Sequence, residues 1–169
     1  HAGDQMNGYI LKPTNFDPSK RYPVVMSQYS CPGSQSVLDK WTIDWEYYLV
    51  SKGFIVACVD GRGTGGRSRA YETSVYMQLG KLETEDQVAG AEYMRTLPYV
   101  DDKHIGIYGW SYGGYETLMA MSTSNGTYQA GVAIAPVTDW RYYDTIYAER
   151  FMRTPNENNE GYEQSAPIT

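Results

Sequence analysis

The pentapeptide at residues 109–113 (GWSYG) constrains the fold of this 169-residue chain more than any other feature. It lies between an apolar strand-like run, residues 105–108, and a segment with helical character, residues 115–122. A serine in Gly-x-Ser-x-Gly at such a junction is typical of a nucleophile elbow, a strained turn that exposes the hydroxyl at the C-terminal edge of a sheet. The sequence therefore predicts Ser111 as a nucleophile.

Ser111 has an alternative interpretation as a simple helix N-cap in a glycine-rich turn, because serine is a favoured N-cap residue. The strand before it, the helix after it, and Gly109, Gly113 and Gly114 around it favour the elbow. In an elbow the backbone N–H of Tyr112 points to the position where an oxyanion would form. We therefore predict that N–H as one donor of an oxyanion hole.

Strand-like and helix-like segments alternate along the chain, which predicts a mostly parallel sheet with helices on both faces. Residues 54–59 (FIVACV) are continuously apolar, as in a strand that is covered on both faces. With the elbow, this pattern predicts the α/β class and the N-terminal part of an α/β-hydrolase fold. The predicted strands are residues 8–13, 22–29, 54–59, 105–108 and 131–135, the predicted helices are residues 42–52, 82–97 and 115–122, and residues 155–161 are predicted as a surface loop.

Composition narrows the possible partners. The net charge is −6 and Lys and Arg do not cluster, so we expect no nucleic acid partner. The sequence has no apolar run of about eighteen residues, so it predicts no membrane span. Cys31 and Cys58 lack the spacing of a metal site and are too few for a disulfide framework.

A dinucleotide site is a possible alternative, because residues 61–66 (GRGTGG) fit Gly-x-Gly-x-x-Gly after a strand. However, residues 67–69 (RSR) do not open an apolar helix, and Asp86, the acidic residue about twenty positions on, falls inside a predicted helix. The segment is better interpreted as a flexible loop at the edge of the sheet.

The general base that a serine nucleophile needs is not evident in this sequence. His1 is terminal, and His104 starts the strand that ends at Ser111, roughly 20 Å away at the rise of a β-strand. No histidine follows Ser111, so we expect the base beyond residue 169 or on another chain. Asp139 and Asp144 are candidates for the triad acid, with helix N-terminal charge as the alternative role.

Several segments resemble the catalytic domain of the prolyl oligopeptidase family, and most of all its dipeptidyl peptidase IV branch. They are residues 60–63 (DGRG), 109–115 (GWSYGGY), 135–137 (APV) and 140–151 (WRYYDTIYAERF), together with Tyr29. One departure lies at residues 30–33 (SCPG), where that branch has a Gly-Pro-Cys order.

By this resemblance Ser111 matches the nucleophile, and Tyr29 matches the tyrosine whose hydroxyl completes the oxyanion hole. Tyr29 ends a predicted strand, in the connection from which α/β-hydrolases take their second oxyanion donor. One such donor stabilises the transition state by roughly 3–4 kcal/mol. The alternative is a core tyrosine with a satisfied hydroxyl.

The resemblance also implies a pocket for the residue on the N-terminal side of the scissile bond, usually proline. Four of the matching residues are Val137, Trp140, Tyr143 and Tyr147. If this segment is a helix, their spacing places them on one side, although the same stripe could be core. Flat aromatic walls suit a compact ring and would reject larger side chains by shape. The matching residues are Tyr112, Val137, Trp140, Tyr143 and Tyr147.

The function implied by the resemblance is a serine exopeptidase that releases Xaa-Pro or Xaa-Ala dipeptides through an acyl-enzyme on Ser111. It implies a peptide substrate, no cofactor, no metal, a homodimer at full length, and a periplasmic or secreted location. Residues 1–169 would form part of the catalytic domain, without the family's β-propeller and triad Asp and His, and would be inactive alone. Alternatives are an acylaminoacyl peptidase or esterase of the same family, or a non-catalytic hydrolase-like interaction module.

Overall fold

The computed structural model describes residues 3, 5–42 and 44–168, so that His1 and residue 43 of the first predicted helix lie outside the described residues. Five strands and six α-helices alternate in this part of the chain. The strands are β1 (Asn7–Leu11), β2 (Tyr22–Ser27), β3 (Ile55–Asp60), β4 (Val100–Trp110) and β5 (Ala130–Ile134). The helices are α1 (Glu46–Ser51), α2 (Arg69–Thr73), α3 (Lys81–Arg95), α4 (Tyr112–Thr123), α5 (Thr145–Met152) and α6 (Asn159–Gln164), with a 3-10 helix at Trp140–Tyr142.

The strands form one sheet in the order β1-β3-β2-β4-β5. The pairs β2–β3, β2–β4 and β4–β5 are parallel, whereas β1 pairs with β3 antiparallel at the edge. The predicted mostly parallel sheet is confirmed, with β1 as its one antiparallel strand among the described residues. Helical connections join the parallel strands along the chain, from β2 to β3, from β3 past β2 to β4, and from β4 to β5.

Helices cover both faces of the sheet, as two adjacent residues of β4 show. Ile107 is buried in a core with Ala91 and Met94 of α3. Its neighbour Tyr108 points to the opposite face because side chains alternate along a strand, and its ring centroid lies 4.3 Å from that of Trp45, just before α1. We call the cluster around Ile107 and α3 the sheet core.

A second apolar cluster lies beyond the elbow, and half of its buried members are aromatic residues from α4 and the C-terminal segments. We call it the aromatic core; its buried members are Val75, Leu79, Tyr112, Tyr115, Met119, Trp140, Met152 and Tyr162. The molecule therefore has one core that supports the sheet and another that supports the region next to Ser111.

The loop after β3 has the irregular conformation predicted for it. Arg62 donates from its guanidinium to Asp86 in α3 at 2.9 Å and to Glu85 at 3.0 Å, which fixes the loop to that helix. Asp86 lies within α3 and binds a side chain of this chain, in contrast to the free carboxylate of a dinucleotide site.

The predicted surface loop at residues 155–161 was partly wrong, because α6 begins inside it. The polar composition concealed two internal contacts: Asn158 donates from Nδ2 to the carbonyl oxygens of Met77 and Met152, both at 3.0 Å. Gly161 is buried beside Asn158, where a side chain would overlap it. These long-range contacts give a polar segment a fixed place in the fold.

Candidate active site

Ser111 occupies a strained turn between β4 and α4. Its backbone angles are φ 59° and ψ −114°, a region that residues other than glycine rarely adopt. The turn is held at both ends, because the Ser111 N–H donates to the carbonyl of Ile134 at 2.9 Å and its carbonyl accepts from Tyr115 N–H at 3.0 Å. Its side chain is exposed and makes no capping hydrogen bond, which disfavours the N-cap interpretation.

Two glycines allow the turn to close. A Cβ on Gly109 would overlap the carbonyl oxygen of Gly113, and a Cβ on Gly113 would lie 2.5 Å from the carbonyl oxygen of Gln28. Neither position can therefore hold a larger residue without moving backbone. The Gly-x-Ser-x-Gly spacing thus has a steric cause in this structure.

Tyr112 contributes both its backbone and its ring to this region. It is the first residue of α4, so its N–H is one of the helix's N-terminal donors without an intrahelical acceptor. Its ring is 3% exposed and lies edge-on to that of Tyr29, with 6.5 Å between ring centroids. Tyr112 therefore supplies both a predicted oxyanion donor, its N–H, and part of the predicted pocket, its ring.

Tyr29 follows β2 and lies beside the elbow, 38% exposed. Burial is the main cause that raises the pKa of its hydroxyl, helped by Cys31, while a hydrogen bond with the Ser111 side chain lowers it. The side chains of Tyr29 and Ser111 are thus near each other. Its role in an oxyanion hole stays a prediction.

Gln28, which the sequence analysis missed, connects the end of β2 to the first turn of α4. Its Nε2 donates to the carbonyl of Gly113 at 2.8 Å, and its Oε1 accepts from Ser30 at 3.0 Å. Gln87 of α3 donates to the same Ser30 hydroxyl at 3.1 Å. These buried contacts fix the position of Tyr29 relative to the elbow. A polar residue at the end of an apolar strand was the available signal.

Cys31 lies in the segment that departs from the family pattern. Its sulfur is 3.2 Å from the hydroxyl of Tyr147 and near enough to Tyr29 to contribute to the raised pKa of that hydroxyl. Burial raises the pKa of the thiol, so it is protonated near neutral pH. The thiol therefore connects the predicted oxyanion tyrosine to a predicted pocket tyrosine.

The predicted pocket residues come together around Trp140. Its ring centroid is 5.5 Å from that of Tyr112, 5.8 Å from Tyr143 and 5.6 Å from Tyr147. Val137 packs against the same aromatic core. The structure thus groups all five residues beside Ser111.

The grouping does not arise from one continuous helix, the condition under which the spacing would place these residues on one side. Asp139 caps the 3-10 helix by accepting from Arg141 N–H at 2.8 Å, and Asp144 caps α5 by accepting from Tyr147 N–H at 2.8 Å. Aspartate caps start new helices, so the segment is divided between Trp140 and Tyr147. Both aspartates have the capping role that was the alternative to a triad acid.

The two interpretations of the aromatic stripe, core and pocket, each describe part of it. Trp140 is 1% exposed and belongs to the aromatic core, whereas Tyr143 is 44% exposed and Tyr147 is half-buried. A pocket with Trp140 as its buried floor and with Tyr143 and Tyr147 as a partly exposed wall can accept a small ring.

His104 lies inside β4, which begins at Val100 and not at His104 as expected, and its Nδ1 is 2.7 Å from the Asp101 carboxylate. In residues 3, 5–42 and 44–168 no group of three His, Cys, Asp or Glu side chains is arranged to hold a metal ion. Over the same residues, no helix combines the length and apolar character needed to cross a membrane.

A mostly parallel sheet with helices on both faces, and a serine on a strained turn between strand and helix, define an α/β-hydrolase domain. Comparison with known proteins places it more narrowly. A model of the prolyl oligopeptidase family matches residues 41–169, and the chain belongs to this family.

Similar proteins carry dipeptidyl peptidase names. The crystal structure of Porphyromonas gingivalis dipeptidyl peptidase 4 matches with a TM-score of 0.95 and 58% identity, over 96% of this chain and 23% of that one. A probable dipeptidyl-aminopeptidase B of Metarhizium robertsii is 45% identical over 97% of this chain and 18% of its own length. Another, of Ajellomyces capsulatus, is 50% identical over 92% of this chain and 17% of its own length. The chain therefore spans less than a quarter of these relatives.

Proposed function

We propose that the protein containing this chain is a serine exopeptidase that releases N-terminal dipeptides with Pro or Ala in the second position. The observation that carries the proposal is the geometry at Ser111: a strained, exposed serine, followed in sequence by Tyr112, whose ring contacts both Tyr29 and the aromatic cluster around Trp140. Membership of the prolyl oligopeptidase family and the names of its relatives support a peptidase.

In this mechanism, Ser111 Oγ attacks the carbonyl carbon of the second substrate residue and forms a tetrahedral intermediate. The Tyr29 hydroxyl and the Tyr112 N–H donate hydrogen bonds to the oxyanion. The leaving amine departs, the dipeptidyl ester remains on Ser111, and water then hydrolyses it. The base that accepts the serine proton and returns it to the amine is expected outside these residues.

The preference for Pro or Ala would come from the aromatic wall formed by Trp140, Tyr143 and Tyr147. A compact ring can stack in such a site, and a methyl group fits without clash, whereas a long side chain would meet buried rings. An acylaminoacyl peptidase or esterase would share the elbow but not require a free amine on the substrate. A homodimeric state and an extracytoplasmic location are further parts of the proposal that follow from the resemblance alone.

The test uses the full-length gene product and its Ser111→Ala variant. We expect a fluorophosphonate probe to label the wild type and not the variant, and expect only the wild type to release Gly-Pro from a chromogenic Gly-Pro amide. Equal labelling of both proteins would refute the role of Ser111. Labelling of Ser111 with cleavage of an N-acetylated substrate, but not of Gly-Pro amide, would instead support the acylaminoacyl alternative. An interaction module would give no labelling.

A further inference from the structure

A buried carboxylate, Glu83, contacts the aromatic residue next to the nucleophile. Glu83 lies in the first turn of α3 and is 1% exposed, and its Oε1 accepts a hydrogen bond from the Tyr112 hydroxyl at 2.8 Å. Neither the elbow pattern nor the predicted pocket includes Glu83. The contact joins α3 to the first residue of α4 across twenty-nine positions of sequence.

The surroundings of Glu83 make it costly to keep. Among the described residues its Oε2 has no hydrogen-bond partner, and neither does the Oε2 of Glu116, which faces it from α4. A buried carboxylate without full hydrogen bonding destabilises a fold, and an apolar residue of similar size would avoid that cost. A polar group retained at such a site calls for an explanation beyond packing.

Tyr112 is the residue on which such a contact would have most effect. Its ring packs against those of Tyr115 and Trp140, with centroids 5.3 and 5.5 Å away, and edge-on to Tyr29. Its N–H is the predicted oxyanion donor. Because ring and N–H belong to one residue at the start of a helix, a hydrogen bond that fixes the hydroxyl also limits rotation of the peptide that carries the donor.

We infer that Glu83 is a positioning residue that holds Tyr112 by accepting a hydrogen bond from the Tyr112 hydroxyl. Glu83 thereby aligns both the oxyanion donor and the floor of the substrate pocket. This inference rests on the proposed function of Ser111 and Tyr112. Glu83 touches no reacting atom, so its effect passes through Tyr112 alone.

The inference predicts a dependence on pH. Burial raises the pKa of Glu83 to about 7, against the lowering effect of N–H groups at the start of α3 and of Tyr112. The titratable groups around it are Tyr112, Tyr115 and Glu116 from α4, Asp86 from α3, and the Cys31 thiol after β2. Once Glu83 is ionised, its hydrogen bond from Tyr112 becomes charge-assisted and stronger. The contact should therefore matter more at pH 8 than at pH 6.

The experiment compares Glu83→Gln, Tyr112→Phe and the double variant in the full-length gene product. The rate of fluorophosphonate labelling measures Ser111 with its oxyanion hole and requires no choice of substrate. At pH 8 we expect Tyr112→Phe to slow labelling about tenfold, less than the loss of an entire donor, because the N–H is misplaced rather than removed. The double variant should be no slower than Tyr112→Phe alone, since both changes break one contact.

For Glu83→Gln, we expect slower labelling than the wild type at pH 8 and equal rates at pH 6, where wild-type Glu83 is protonated and resembles glutamine. Glu92→Gln, on the exposed side of α3, is the matched control and should equal the wild type at both pH values. Thermal unfolding of each variant verifies that it is folded. If Glu83→Gln does not fold, the labelling rate of Tyr112→Phe still tests the inference. A Tyr112→Phe variant that is labelled as fast as the wild type overturns it.

Additive effects of the two substitutions on the labelling rate would also overturn the inference. So would a ratio of the Glu83→Gln rate to the wild-type rate that does not change with pH, and Glu83 would then have only a structural role. Failure of the proposed function has a different signature. A wild type that is labelled but releases no dipeptide refutes the exopeptidase while the labelling rates still test Glu83. A wild type that is not labelled refutes the nucleophile itself.

Discussion

The hydroxyl of Tyr29 has the most direct chemical consequence of any single group near Ser111. It can stabilise an oxyanion only if it donates a hydrogen bond, and burial keeps it protonated by raising its pKa. We expect Tyr29→Phe in the full-length protein to lower kcat about 100-fold to 1000-fold with little change in KM, because the contact is made in the transition state.

Steady-state kinetics on a Gly-Pro chromogenic amide would measure this effect, with Tyr48→Phe as control, since Tyr48 is an exposed tyrosine of α1. A Tyr29→Phe variant with unchanged kcat would contradict an oxyanion role. If KM rose instead and kcat stayed the same, the hydroxyl would be a substrate-binding group.

At this scale, the sequence predicted residues whose role depends on local pattern and missed those whose role depends on distant contacts. Ser111 is identifiable because its glycines and flanking elements are neighbours in sequence. Gln28 and Glu83 act on α4 from eighty-five and twenty-nine residues away, and nothing near them in sequence indicates that partner. A polar residue beside an element end was the only local signal for either.

At the scale of elements, the contact between α3 and α4 combines apolar packing with buried acid groups. Glu116 lies inside α4 with no exposed surface and accepts a hydrogen bond from Thr84 of α3 at 2.8 Å. Burial is the main cause that raises its pKa well above the ordinary value, and Glu83 adds to the rise. These two helices therefore meet through groups whose charge depends on pH.

The sign of the effect follows from the direction of the shift. A carboxyl with a raised pKa in the folded state binds its proton more tightly there, so its stabilising contribution is complete below the unfolded pKa. That contribution is lost as the pH rises through the folded pKa. We expect Glu116→Gln to have a higher Tm than the wild type at pH 8 and the same or a lower Tm at pH 5.

Thermal unfolding of both proteins between pH 5 and pH 8 would measure this difference. Glu160→Gln, in the first turn of α6 and exposed, is a suitable control because its charge stays in water. A constant difference in Tm between Glu116→Gln and the wild type over the whole range would mean that Glu116 does not titrate in this window.

Element boundaries were predicted best where a continuous hydrophobic pattern decided them and worst at the polar start of β4, which begins five residues before the predicted strand. The continuous apolar run at β3 and the helical period of α3 gave bounds within two residues of those observed. The aromatic segment after β5 reads as one stripe, yet Asp139 and Asp144 divide it. The residues nevertheless converge, because both short helices pack their rings on Trp140.

For the whole molecule, the two apolar clusters separate stability from specificity. The sheet core includes Met94 and Ile107 and lies between α3 and the strands, whereas the aromatic core includes Trp140 and supports the predicted pocket. A change in the first cluster should weaken the fold without altering the pocket, and a change in the second should alter the pocket with a smaller loss of stability.

The pair Met94→Ala and Trp140→Phe tests this separation in the full-length protein. Met94 is 2% exposed, so its truncation should lower the free energy of unfolding by about 2–5 kcal/mol and leave unchanged the ratio of kcat/KM for Pro over Ala in the second substrate position. Trp140→Phe leaves a smaller ring, so the pocket widens and that ratio should fall severalfold, with a smaller loss of stability. Urea unfolding and kinetics on matched Gly-Pro and Gly-Ala amides measure both quantities. If Met94→Ala shifted the ratio as much as Trp140→Phe, the cores would be coupled, and pocket shape would depend on packing throughout the domain rather than on the aromatic core.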